Sequence, residues 1–160
     1  MSRAVSLERF VPRNFGPSCM RFASSTASRV RLNDASKHAF VHQTGVFSVF
    51  AFVSPIAVGA QRTICGNDAS SFTEKGFIFA LTSGNNLRLQ ITDGSSAVFN
   101  ASSATLNIVP SRWQAVGVSL NGVGSQATFY HWDGASFFST SPAGTLASLG
   151  TGNCTFPLFI

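Results

Sequence analysis

Alternation marks two stretches of the chain, strictly apolar against polar in the first. In Leu87–Thr92, Leu87, Leu89 and Ile91 fall on one side, and Arg88, Gln90 and Thr92 on the other. In Trp113–Leu120 the apolar set is Val116, Val118 and Leu120. A period of two is that of a β-strand. Turn residues bracket both stretches. Ser83-Gly84-Asn85-Asn86 precedes the first and Asp93-Gly94 follows it; Asn121-Gly122 follows the second, and Asp133-Gly134 ends its return strand, Gln126–Trp132. Asp-Gly and Asn-Gly favour hairpins because both positions tolerate positive φ. Gly76–Leu81, Leu87–Thr92 and Ser95–Ala101 therefore read as a meander, and Trp113–Trp132 as a hairpin.

Gly45–Val53 (GVFSVFAFV) is almost continuously apolar. It is short and rich in β-branched and aromatic residues, which predicts a central strand. Met20–Phe22 and Arg29–Leu32 read as short strands around a Ser/Thr-rich turn. Residues 1–18 keep no period and are punctuated by Pro12, Gly16 and Pro17. The pattern predicts an irregular arm over 1–18 and one all-β domain over 19–160, a two-layer antiparallel β-sandwich with turns every eight to twelve residues.

Composition sharpens this picture. Charged residues make up 11% of the chain, against about 25% in ordinary soluble domains. Its surface must be covered by Ser, Thr, Asn and Gly, which suits a protein held in an assembly or facing glycans. The net charge of +5 is unevenly placed. Residues 1–40 carry Arg3, Arg9, Arg13, Arg21, Arg29, Arg31 and Lys37 against Glu8 and Asp34, while 41–160 are balanced. Such an arm fits an acidic partner subunit or a solvated leader. Nucleic acid is not the expected partner, because no aromatic–basic interleaving accompanies the charges. Met1–Arg13 lacks the apolar core of a secretion signal, and Val46–Ala60 is too short to span a bilayer, so a soluble, unprocessed chain with no membrane partner is expected. The sequons at Asn100 and Asn153 are then coincidental. Cys19, Cys65 and Cys154 are odd in number and lack CxxC spacing, which argues against a disulfide framework.

The stretch Ser111–Gly134 (SRWQAVGVSLNGVGSQATFYHWDG) resembles laminin-G-like, concanavalin A-like jelly rolls. A Trp (Trp113) opens a strand of small and β-branched residues, and after a turn the return strand ends in aromatic-x-Asp-Gly. CMRFASSTASRVRL and GVFSVFAFVSP are similar to the family's opening strand and first long core strand. The resemblance implies a concanavalin A-like jelly roll over 19–160. It also implies a closing strand beyond Thr155–Ile160 that this sequence does not supply. Acidic calcium ligands have no counterpart. The expected consequence is an open edge at Thr155, Phe156, Leu158, Phe159 and Ile160, covered by a neighbouring subunit or by the basic arm through Arg3, Arg9 and Arg13.

Catalytic chemistry lacks its parts. The six acidic residues include no pair spaced two to four apart, as a retaining glucanase strand needs. Asp93 and Asp133 are explained by their turns. No GxSxG elbow or phosphate-binding Gly-rich loop occurs. Cys65 with His38, His42 or His131 would make a Cys–His pair, but free cysteine is more often a core residue. His38 and His42 share a face, yet no third or fourth zinc ligand lies nearby. No enzyme activity, metal or cofactor is expected. Trp113, Tyr130, His131, Trp132 and Asp133 gather at one end of the predicted hairpin, where they read either as core aromatics or as a patch that stacks on sugars. The expected role is a non-catalytic structural or attachment component of a virus-like assembly, such as a phage head decoration or tail-associated protein. Such a chain would be located in the virion, as a homo-oligomer or bound to other subunits. The alternative is a glycan-binding module that uses the aromatic end, placed in the cytoplasm or outside the cell.

Overall fold

A computed structural model of the chain describes residues 31–32, 41, 44–56, 59–67, 75–94, 96–103, 108–149 and 158–160. Ten strands run through them: β1 (Arg31–Leu32), β2 (Val46–Val53), β3 (Arg62–Gly66), β4 (Lys75–Leu81), β5 (Leu87–Asp93), β6 (Ala97–Ser102), β7 (Gln114–Asn121), β8 (Thr128–Trp132), β9 (Phe137–Thr140) and β10 (Leu158–Phe159). They form two antiparallel sheets, a six-stranded one ordered β1-β10-β3-β4-β5-β6 and a four-stranded one ordered β2-β7-β8-β9. The chain is an all-β, two-layer antiparallel sandwich.

Alternation builds the core. Leu87, Leu89 and Ile91 pair with Leu81, Phe79 and Phe77, and all six are buried. From the other sheet come Phe47, Val116, Val118, Leu120 and Phe129. The Phe47 and Phe77 rings meet between the layers with centroids 5.8 Å apart. Each such side chain contributes about 1.5–3 kcal/mol on burial. The face of β5 expected to be polar is covered as well: Gln90 and Thr92 are buried.

The turns follow their local chemistry. Asp93 and Asp133 each accept an N–H from the serine three residues on, at 2.8 Å, through the same side-chain oxygen position. Each also donates its own N–H to that serine's carbonyl, at 3.1 and 3.2 Å. The 82–86 turn uses Asn85 at φ +63°. After Asn121 the connection is longer than a two-residue hairpin. The Gly122 N–H donates to the Gly45 carbonyl, Gly124 to Leu146, and Leu146 to Ser125.

Two expectations are corrected. Val46–Val53 is not a central strand: β2 lies at the edge of the four-stranded sheet and, among the described residues, pairs with β7 alone. Its apolar run is continuous because one face is core and the other is an exposed apolar surface. The expected open edge at the C-terminus is also absent. β10 pairs with β1 through Arg31↔Phe159 and Leu32↔Leu158, and with β3 through Phe159↔Gly66. Leu158 packs against the core, and Ile160 is exposed. A pairing over more than 120 residues of sequence separation closes this edge, and no local pattern announces it. Met20–Phe22, the arm with Arg3, Arg9 and Arg13, and Thr155 and Phe156 lie outside the described residues.

Gly45 sets the entry to β2. It holds φ +63°, and a Cβ there would lie 2.8 Å from Leu146 Cδ2. Gly45→Ala should therefore lower the unfolding free energy by at least about 1–2 kcal/mol, the cost of a left-handed alanine. Urea denaturation measures this, and an unchanged midpoint would contradict the packing at this corner.

Candidate functional site

The outward face of the four-stranded sheet carries the most unusual surface among the described residues. With Phe47, Val49, Ala51 and Val53 turned inward, β2 must turn Val46, Ser48, Phe50 and Phe52 outward. The register then assembles rows across the sheet. Phe50 opposes Gly117, which opposes Tyr130, which opposes Ser139. Phe52, Ala115, Trp132 and Phe137 form the next row. Ser48, Ser119 and Thr128 form the row on the other side.

Gly117 shapes the first row. Phe50 and Tyr130 sit on strands separated by β7, about 9–10 Å apart by strand spacing. Their ring centroids are nevertheless only 5.6 Å apart. Phe50 achieves this by lying across Gly117, where a Cβ would fall 2.3 Å from Phe50 Cδ1. Phe137 stacks on the far side of Tyr130 at 6.0 Å, with the planes 30° apart. A continuous strip Phe50–Tyr130–Phe137 results. Phe50 and Phe137 are each 65% exposed. Isolated exposed apolar residues are ordinary, whereas a contiguous aromatic strip is a candidate contact surface.

Hydrogen-bonding groups flank the strip. Ser119 Oγ and Tyr130 Oη are 2.9 Å apart, and so are Thr128 Oγ1 and Ser141 Oγ. Val46, Ser48, Ser119, Asn121, Gln126 and Thr128 line an open depression of about 300 Å³ beside the rings. None of the side chains named on this face carries a charge.

The residues expected at the hairpin end divide between the two faces. Tyr130 and Trp132 lie on the outward face. Trp113 lies two residues before Ala115, the partner of Trp132, so both indoles occupy the same end of the β7–β8 pair, half-buried. His131 points the other way and is only 4% exposed. Its Nε2 is 2.9 Å from Gln114 Oε1. Gln114 Nε2 donates to the carbonyls of Val109 and Arg112, and Gln114 Oε1 also accepts the Val109 N–H. The acceptor role of Oε1 makes His131 Nε2 the donor. Phe138 stacks over the imidazole at 5.9 Å. Asp133 serves its turn: the Ser136 and Ala135 N–H groups hold its carboxyl below the usual carboxylate range. Sequence reading missed Phe50, Phe52, Gly117 and Phe137. The alternate positions 48, 50 and 52 were a usable signal, but only the strand register joins them to Tyr130.

Other chemistry finds little support among the described residues. Burial pushes the Cys65 thiol up to about 12, so Cys65 is not a thiolate nucleophile at neutral pH. No group of three His, Cys, Asp or Glu side chains could hold a metal there, and no helix is long and apolar enough to cross a membrane. His38, His42, Glu8, Asp34, Asp68 and Glu74 lie outside the described residues. Comparison with protein-family models and with curated proteins returns no match.

His131 gives the stability of the fold a pH dependence. Burial lowers its pKa below 6.5, with Asp133 opposing. The folded chain then binds fewer protons than the unfolded chain at and below that value. Its contribution to stability is complete above 6.5 and is lost as pH falls toward the folded value. Urea midpoints measured from about pH 7.5 to about pH 5.5 should fall. They should fall less in His131→Gln; equal slopes would remove His131 from the account.

Proposed function

We propose that this chain is a non-catalytic binding module of the concanavalin A-like kind, and that it recognises neutral glycans on the outward face of its four-stranded sheet. The observation that carries the reading is the Phe50–Tyr130–Phe137 strip beside the Ser48/Ser119/Thr128 row. Apolar ring faces of a pyranose stack on aromatic rings, while its hydroxyls need donors and acceptors at the margin. The face supplies both side by side. Its lack of charge favours a neutral sugar over an acidic glycan, a phosphate or a nucleic acid, each of which calls for Arg or Lys.

A structural or attachment role in a virus-like assembly is the second reading. The observation in its favour is the charge-poor composition with basic residues gathered in the first forty positions. In that setting the same face would bind the receptor or a neighbouring subunit, and the chain would be located in the virion.

A glycan array probed with the full chain separates the two. The glycan reading expects binding to neutral oligosaccharides. It also expects about tenfold weaker affinity on Phe137→Ala, which corresponds to about 1.4 kcal/mol. Gly117→Ala should weaken the same glycans by displacing Phe50. A blank array with a folded chain contradicts the glycan reading, and so does binding that both substitutions leave unchanged.

A further inference from the structure

The outward face of the four-stranded sheet changes its chemistry along β7. Side chains on one face recur at every second residue, so successive rows lie about 6.6–6.8 Å apart. Phe50, Gly117 and Tyr130 form the aromatic row, and Ser48, Ser119 and Thr128 the hydroxyl row. One step further, Val46 opposes Asn121, which shares the parity of Ser119. Gln126 joins them in lining the depression. The face thus passes from rings through hydroxyls to two carboxamides.

Hydrogen-bonding capacity is spread unequally along this line. The Ser119 and Thr128 hydroxyls are already paired, with Tyr130 and Ser141. The Asn121 main-chain N–H is also engaged, by Ser125 Oγ. The Ser48 hydroxyl and the Asn121 and Gln126 carboxamides make no hydrogen bond among the described residues. Each carboxamide offers two N–H donors and a carbonyl acceptor, which suits sugar hydroxyls that both donate and accept. Across the strands, by contrast, the aromatic row leads only to the Ser139 hydroxyl at its far end.

The spacing fixes a length. The aromatic row and the carboxamide row are four residues apart on β7, or about 13–14 Å. That distance exceeds one pyranose ring and suits about two or three rings linked in a straight chain. The depression, at about 300 Å³, is at the small end of ligand pockets and suits a single sugar unit beside the one stacked on the rings.

We propose that the ligand is an extended, unbranched neutral oligosaccharide of at least two units, joined by equatorial β1,4 linkages and lying lengthwise along β7. One ring stacks on the Phe50–Tyr130–Phe137 strip. The next enters the depression, where Ser48, Asn121 and Gln126 bind its hydroxyls. Equatorial linkage keeps the chain straight along the strand and leaves C–H groups on the ring faces for stacking. An α1,4-linked chain of the same sugar coils away from the sheet. This inference rests on the glycan reading and names its ligand more closely.

The experiment is titration calorimetry on the full chain with β1,4-linked glucose oligomers of one to four units, and with α1,4-linked glucose oligomers of the same lengths. The expected affinity in the β series rises at least about tenfold from one to three units and levels off at four, because Asn121 ends β7. The α series should show no such rise. Replacing both carboxamides, by Asn121→Ala with Gln126→Ala, should flatten the rise and leave the single unit unchanged, whereas Phe137→Ala should weaken every length. Gln126→Ala alone, outside the strands, should reduce the rise and decides the matter if the double variant fails to fold. Equal affinity at all lengths overturns the proposal, as does an α series bound as well as the β series or a rise that the carboxamide variants leave intact. A glycan array positive only for other sugars overturns it too and leaves the glycan reading standing; a blank array with a folded chain removes both.

Discussion

The Phe47 ring packs against Phe77 across the two layers, and this contact fixes the parity of the strand that carries it. Side chains alternate along β2, so seating Phe47, Val49, Ala51 and Val53 in the core sends Phe50 and Phe52 outward. A slip by one residue would exchange the two sets. Val49 pairs with Val118 and Ala51 with Val116, both buried partners on β7, which holds the strand against such a slip. The aromatic strip descends from this choice.

The strip also needs a gap. Aromatic rings on strands β2 and β8 would stand too far apart to touch over an ordinary β7 side chain. Gly117 removes that side chain at the one register position where it would intervene, and Phe50 leans into the space. Glycine usually weakens a strand interior, and close approach by another group is a recognised reason for its presence. Tyr130 is held in turn from its polar end by Ser119. Rings fixed in this way lose little freedom on binding, which favours recognition by a preformed surface.

Much of the fold was legible in the sequence because its signals are local. The Asp-Gly turns at 93 and 133 hydrogen-bond alike, and the alternation in 87–92 and 116–120 assigns the core face correctly. Three features were not legible. Val46–Val53 is apolar on both sides, so its pattern cannot distinguish a buried central strand from an edge strand with an exposed aromatic face. The partners of β10 lie far away in sequence. The candidate site was legible only through Tyr130 and Trp132. Phe50 and Phe137 come from other strands and reach them by register, while His131, adjacent to both in sequence, faces the core by the same alternation.

The parity of β2 is the claim on which the site rests, and thiol labelling tests it directly. Single cysteines would be introduced in turn at positions 46 to 53 in a background with the three native cysteines replaced by serine. The structure predicts fast modification at 46, 48, 50 and 52, and slow modification at 47, 49, 51 and 53. Uniform protection at every position would mean a strand covered on both faces, and would contradict the account.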